Sequence, residues 1–440
     1  MREIDKDNLL RSWKEIAAYL GCEIRTCYRW EARHGMPVHR AEKGEKRSPV
    51  FAYKDELDRW FRETFRDSSQ SWAKPREERS YLRWIAAGVA VLALAGAFLL
   101  FRGGRGGGGR QPAGFSIEGS TLVVLDKGGR ELWRRDTGLE DLQTEDFYRR
   151  NFQVMHRDEA TILPALVIRD IDGDGDREVL LAPKRVGGQT GEGYLHCFNR
   201  KGAELWKFRG GRELACEGQV FSPDYRIAGF HTHDLDGDGR LETVVESFQA
   251  PGWPCQLAVL DASGKMVGEF WNTGYLRGLA YHDLDGDGRE ELIVCGANEE
   301  YRGGCLIVFD AGRIGGSSPQ TGQYACEGLG PGLELYYVTV PLTDVAEAEG
   351  LHVDGLRHVE ITGNERIRVT AESGLYYEFG FDLERLQVSW GSDYIARHRE
   401  MAKAGRIASV LDGAYREALL KCVRYWDGAA WVAGPAKNLR

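Results

Sequence analysis

Three patterns of apolar and polar positions succeed one another along the chain. In residues 8–65 apolar side chains recur at helical spacing. Ile16, Ala17 and Leu20 share one face of a helix predicted to start near Trp13, and Cys27, Tyr28 and Trp30 supply packing positions on a second, Ile24 to His34. Ser12 and Glu15 have the spacing that satisfies the first amides of such a helix, and Gly21 allows the turn between the two. Met36 to Arg40 and Val50 to Tyr53 then read as a β-hairpin around the loop Ala41 to Ser48. A closing helix, Lys54 to Phe65, puts Leu57, Trp60 and Phe61 on one face.

The second pattern is a continuous run, Trp84 to Phe101, with no charged or strongly polar side chain. As a helix it would span about 27 Å, close to the hydrocarbon thickness of a bilayer. Trp84, Phe98 and Phe101 resemble interfacial anchors, and Arg83 and Arg102 stop the run. This predicts one membrane-spanning helix, followed by a glycine-rich linker around Gly103 to Gly109. Basic residues flank both sides, so charge alone orients the helix only weakly towards an internal N-terminus.

The third pattern fills the rest: short apolar runs bounded by turns, which predict strands. Three of them follow an acidic loop in one frame. The loops are Asp170-Ile171-Asp172-Gly173-Asp174-Gly175-Asp176-Arg177-Glu178, Asp234-Leu235-Asp236-Gly237-Asp238-Gly239-Arg240-Leu241-Glu242 and Asp283-Leu284-Asp285-Gly286-Asp287-Gly288-Arg289-Glu290-Glu291. Carboxylates stand at loop positions 1, 3, 5 and 9 with glycine at 6. Alternate acids around a sharp turn can gather the six to eight oxygens that a calcium ion takes, with the position 7 residue (Asp176, Arg240, Arg289) adding its backbone carbonyl. Position 12 is Leu181, Val245 and Val294, and a strand follows each loop, so these are not EF-hands. A second repeat is interleaved: strands ending at Asp126, Asn199, Asp261 and Asp310. Gly129, Gly202 and Gly264 stand three residues after the first three, and Trp133, Trp206 and Phe270 return towards the core. The loops recur at spacings of 64 and 49 residues, the scale of propeller blades. Residues near Asp393 to Tyr425 have helical spacing.

Charge and cysteine sharpen the division. The chain of 440 residues carries a net charge of -9, yet residues 1–83 hold 19 Lys+Arg and 15 Asp+Glu, net +4, which leaves -13 for the remainder. Only the N-terminal part can attract a polyanion. Arg25, Thr26 and Arg29 lead the outward face of the second helix, where guanidinium forks match guanine edges and phosphates, and Lys43, Lys46 and Arg47 sit on the hairpin loop, placed to follow a phosphate backbone. Of nine cysteines, seven follow the apolar run, where an exported compartment permits disulfides. Their pairing is not legible, and Cys197 and Cys295 read as strand hydrophobes. His231, His233 and His282 precede acidic loops. His231 and His233 share a strand face, which leaves transition-metal binding open. No spacing in the large domain assembles a nucleophile with its base, so an enzyme is not expected.

The stretch SWKEIAAYLGCEIRTCYRWEARHGMPVHR followed by FAYKDELDRWF resembles the excisionase/MerR-type winged helix-turn-helix family over about residues 8–65. The likeness implies that Arg25, Thr26 and Arg29 face the DNA groove and the wing lysines face the backbone. Cys22-Glu23 departs from it, since small or apolar residues are more usual in that turn. VIRDIDGDGDREVLLAP, THDLDGDGRLETVVES and YHDLDGDGREELIVCGAN resemble the FG-GAP/VCBS repeats of integrin-type β-propellers over residues 165–313, which implies structural calcium in the blade loops.

The sequence thus predicts a multidomain protein. A small winged helix-turn-helix domain (1–70) leads through a juxtamembrane segment (71–83), one transmembrane helix (84–101) and a Gly-rich linker (102–114) to a large all-β propeller-like domain (115–392) and a C-terminal helical segment and tail (393–440). The expected function is a membrane-anchored DNA-binding regulator, N-terminus cytoplasmic, whose extracytoplasmic calcium-binding domain meets a protein or glycan ligand, with homodimerisation through the helix. The competing expectation is a calcium-dependent surface binding or adhesion protein whose N-terminal domain does not regulate transcription.

Overall fold

Ser12 starts the first helix: its Oγ accepts the Glu15 amide at 3.2 Å, while the Glu15 carboxylate reaches back to the Arg11 amide at 2.8 Å. The computed structural model describes residues 8–20, 24–40, 50–64, 109–150, 164–186, 193–249, 252–363 and 365–435, with main chain alone over 61–64. Cys22, Glu23, Lys43, Lys46, Arg47, the Phe61 side chain and the apolar run 84–101 lie outside the described residues. Among the described residues no helix is long and apolar enough to cross a membrane. The chain divides into two units, Met1–Ala93 and Leu94–Arg440.

In the smaller unit, α1 (Trp13–Leu20) and α2 (Ile24–His34) pack on a three-stranded sheet of β1 (Leu9–Leu10), β2 (His39–Arg40) and β3 (Val50–Tyr53), followed by α3 (Lys54–Thr64). Ile16, Cys27, Ala52 and Leu57 are fully buried at its centre. Trp13 packs on Tyr28 with centroids 4.4 Å apart, and Trp30 on Trp60 at 5.8 Å. The second helix therefore uses Tyr28 against α1 and Trp30 against α3.

The larger unit is mostly β, a succession of antiparallel meanders. The first sheet holds β4 (Pro112–Glu118), β5 (Thr121–Asp126) and β6 (Glu131–Asp136), followed by a short helix, α4 (Glu145–Arg150). The second runs β7 (Leu166–Arg169), β8 (Glu178–Leu181), β9 (Tyr194–Phe198) and β10 (Glu204–Arg209). A small hairpin, β11 (Leu214–Cys216) and β12 (Gln219–Phe221), precedes the third sheet. That sheet is β13 (Arg226–His233), β14 (Glu242–Phe248), β15 (Cys255–Leu260) and β16 (Met266–Asn272). The fourth begins β17 (Leu276–His282), β18 (Glu291–Asn298) and β19 (Gly303–Asp310). From there β20 (Gly315–Ser317) returns to pair parallel with β16, and β21 (Tyr336–Val340) extends the fourth sheet. After α5 (Asp344–Ala348), the fifth sheet is β22 (Leu356–Thr362), β23 (Arg366–Ala371), β24 (Leu375–Gly380) and β25 (Gln387–Trp390).

Two boundaries differ from the sequence reading. β4 begins at Pro112, inside the segment predicted as linker. Residues 393–440 are not helical throughout: α6 (Ser392–Lys403) and α7 (Gly413–Cys422) are followed by β26 (Arg424–Trp426) and β27 (Trp431–Val432), and β26 pairs with β21. Helical spacing ends at Val423, and Tyr425 is drawn into the core, its hydroxyl on the Leu383 carbonyl at 3.1 Å.

Apolar layers join sheets that are neighbours in chain order: first to second, second to third, third to fourth, and fourth to fifth. Each middle strand is thus covered on both faces, which is why β14, β15, β18 and β19 are buried at successive positions instead of alternate ones. The turn repeat is a single device. The side chains of Asp126, Asn199 and Asp261 each accept the amides two and four residues on, and Gly129, Gly202 and Gly264 take φ of 75°, 84° and 80°. The returning tryptophan then packs on the next repeat's turn: a Cβ on Gly202 would lie 2.7 Å from the Trp133 ring, and one on Gly264 2.5 Å from Trp206.

Candidate metal loops and basic helix

The three acidic loops occupy equivalent places, joining β7 to β8, β13 to β14 and β17 to β18. Each is folded by its own acids. The first aspartate (Asp170, Asp234, Asp283) accepts the amides of both loop glycines, at 2.8 and 2.9 Å, 2.8 and 3.1 Å, and 2.7 and 3.0 Å. Those glycines, at positions 4 and 6, have φ between 73° and 93°, a region closed to most side chains. Asp172, Asp236 and Asp285 accept the amide of position 5, and Asp174, Asp238 and Asp287 that of position 7.

The glutamate at position 9 opens the following strand and is buried. Glu178, Glu242 and Glu291 each use Oε2 to accept the amide of position 2, at 3.1, 2.9 and 2.7 Å. In each loop, oxygens of positions 1, 3 and 9 come within 4.8 Å of one another: Asp170, Asp172 and Glu178; Asp234, Asp236 and Glu242; Asp283, Asp285 and Glu291. Burial, reinforced by the neighbouring aspartates, raises all three glutamates, Glu178 to about 8 and Glu291 to about 6. A buried glutamate that resists ionisation beside two aspartates is what a bound cation relieves. These clusters could hold a metal ion, and the identity of the ion is not fixed by the geometry.

The remaining predicted ligands divide. Asp174, Asp238 and Asp287 lie outside those triads and close the loop turn. The Asp176 side chain is committed elsewhere, to Arg200 at 2.7 Å and Gln111 at 2.7 Å, so this residue, like Arg240 and Arg289, has only its carbonyl to offer. The histidines do not converge with the acids. His231 is buried, and burial pushes its imidazole down to about 4; His233 stacks on Tyr281 at 3.9 Å and pairs with Glu290 at 2.7 Å.

In the smaller unit Arg25 and Arg29 are exposed and Thr26 half-buried on α2, opposite the buried Cys27. The hairpin is anchored at its base: Arg40 forks onto Glu31 at 2.5 and 3.1 Å, and His39 meets Glu56 at 2.6 Å. Trp60 ties α3 to α2 by donating to the His34 carbonyl at 2.7 Å.

Four features escaped the sequence reading. Cys216 and Cys326 form a disulfide across 110 residues, tying the β11–β12 hairpin to the segment before β21. Lys184 is buried, donating to the Ala228 carbonyl at 2.8 Å and to that of Ile227, and burial drops it to about 7. Glu246 is buried within β14, and burial raises it well above the carboxylate range. An acid inside Val-Val-Glu-Ser-Phe was the one available signal. Finally, His398 lies 3.0 Å from Ser409, but that hydroxyl donates to Asp344, so the serine's proton is directed to the carboxylate and not to the imidazole.

No protein-family model matches the chain, and no curated protein matches its sequence. Among solved structures, it is similar to BamB from Moraxella catarrhalis (15% identity, 62% of this chain and 56% of that one, TM-score 0.28). It is also similar to the Dos1 propeller (11%, 62% and 65%, TM-score 0.33) and to a protein of unknown function from Bacteroides caccae (10%, 64% and 74%, TM-score 0.29). The chain spans little more than half of the first of these. At such TM-scores the likeness is loose, and the blade-like character of the sheets rests on their own strand pairing.

Proposed function

We propose that this chain is a single-pass, membrane-anchored, DNA-binding transcriptional regulator whose large unit lies outside the cytoplasm, holds calcium in its three acidic loops and binds a protein or glycan ligand. The observation that carries the reading is α2: its buried face is spent on the small core, while Arg25, Thr26 and Arg29 share the other side of this short second helix. Cys216–Cys326 supports an oxidising surrounding for the large unit. Calcium is favoured over magnesium because a loop of alternate carboxylates with a carbonyl suits six to eight oxygens better than a strict octahedron. No catalytic role is assigned. The competing reading, a surface binding protein with a non-regulatory N-terminal unit, draws on Arg40, whose charge is already spent on Glu31.

The test is binding of residues 1–79 to DNA from upstream of the protein's own gene, across a salt series, beside Arg25→Ala and Arg29→Ala. Binding that weakens steeply with salt, with sequence preference relaxed in both variants at a cost of about 1–3 kcal/mol each, is the expected result. Affinity that is weak and equal for all sequences, unchanged by either substitution, would remove the regulator reading.

A further inference from the structure

The third repeat has a glycine where the first two have a tryptophan. Trp133, Trp206 and Gly268 each stand seven residues after the turn residue, and they share one register. Each follows a bulge and pairs with the residue two before the turn, which is Val124, Cys197 and Val259 respectively. Phe270, the aromatic that the sequence placed in this role, stands opposite Leu257 instead and packs on Phe309 at 4.9 Å in the core. The fold itself keeps position 268 without a side chain. β20 runs beside β16, and a Cβ on Gly268 would lie 2.7 Å from the Ile314 carbonyl.

Beside Gly268 lies a cavity of about 460 Å³, within the range of small-molecule sites. Val259 and Ile314 give it apolar walls, and Ala311 and Gly312 close it from the next turn, the turn on which a tryptophan of this repeat would pack. Asp310 accepts the Gly312 amide at 3.1 Å, as Asp261 accepts that of Ser263 at 2.9 Å, so Ala311 corresponds to Ala262. In the second repeat the Trp206 indole donates to the Ala262 carbonyl at 3.0 Å. The charged lining, among the described residues, is Asp236, Asp238, Glu242 and Asp261 with Arg240, an excess of negative charge.

We propose that this cavity binds a small aromatic amine. Its ring takes the place that Trp133 and Trp206 fill in the sister repeats, a ring N–H bonds to the Ala311 carbonyl as Trp206 bonds to Ala262, and its ammonium is held by the carboxylate wall. Asp261 lies outside the acidic triads, so its charge stays available to the ammonium when a cation fills the loop. Neither DNA binding nor the identity of that cation enters into this site.

Calorimetric titration of the full chain in detergent micelles, with calcium present, tests this with tryptamine and indole-3-acetate, which share a ring and differ in the charge of the arm. Tryptamine should bind with a dissociation constant on the order of 10⁻⁴ M, and indole-3-acetate at least about tenfold more weakly. Asp261→Asn, which keeps the turn as Asn199 does, should cost tryptamine about tenfold and leave indole-3-acetate unchanged or improved. Gly312→Trp, whose Cβ meets no atom closer than 3.6 Å, should fill the cavity and abolish binding of both probes. Val267→Trp, at the exposed bulge, replaces it if that variant does not fold. Wild-type protein that binds tryptamine no better than the filled variant would overturn the proposal, as would equal affinity for the two probes.

Discussion

His231 illustrates how a single side chain couples this fold to pH. It is buried between the third and fourth sheets beside Tyr281, and burial holds its imidazole near 4, with the His233 charge adding a smaller push downwards. An unfolded histidine takes up its proton near 6.5, so between pH 6.5 and 4 the unfolded chain binds a proton that the folded chain refuses. Stability contributed by this residue is complete above 6.5 and declines as pH falls to 4, by on the order of 3 kcal/mol. Denaturant melts of wild type and His231→Phe across that window should differ in slope, the variant losing less stability on acidification. Parallel slopes would show that the imidazole is solvated. The sequence placed His231 on a strand but could not tell its burial, because burial depends on which sheet packs over β13.

At the scale of elements, the turn and tryptophan repeat links one sheet to the next. Trp133 and Trp206 were legible as residues returning to the core, seven positions after Asp126 and Asn199. Their partners were not, since Gly202 and Gly264 belong to the following repeat, more than 50 residues away. Gly264→Ala must place a methyl group 2.5 Å from the Trp206 ring at a φ of 80°, so it combines a clash with a strained backbone. We expect a loss of about 2–4 kcal/mol, with Trp206→Ala costing a similar amount by opening a cavity. Gly129→Ala, with the same φ sign but open space above it, should cost only the backbone strain of about 1–2 kcal/mol. Equal losses at Gly129 and Gly264 in chemical denaturation would show that the stacking contributes nothing.

At the scale of the whole molecule, the acidic loops set the entry to three successive sheets, so a cation held in them would couple its binding to the folding of the large unit. Chelating divalent ions should lower its melting temperature, and calcium should restore it at lower concentration than magnesium. At 100 times its dissociation constant, each occupied site would contribute about 2.7 kcal/mol. A melting curve indifferent to chelator would remove the cation from the account. Much of this architecture was open to inspection in the chain itself. Local chemistry determined the helices of the smaller unit, the position of each loop, its positive-φ glycines and the strand that follows it, because capping, turn geometry and carboxylate spacing act within a few residues. Tertiary structure alone decided the rest: the Cys216–Cys326 pairing, the burial of Lys184 and Glu246, the return of β26 to the fourth sheet, and the bonds of Glu145 and Arg149 to the β4 backbone. Each of these depends on which distant strands become neighbours, and hydrophobic periodicity records which face is buried without recording what covers it.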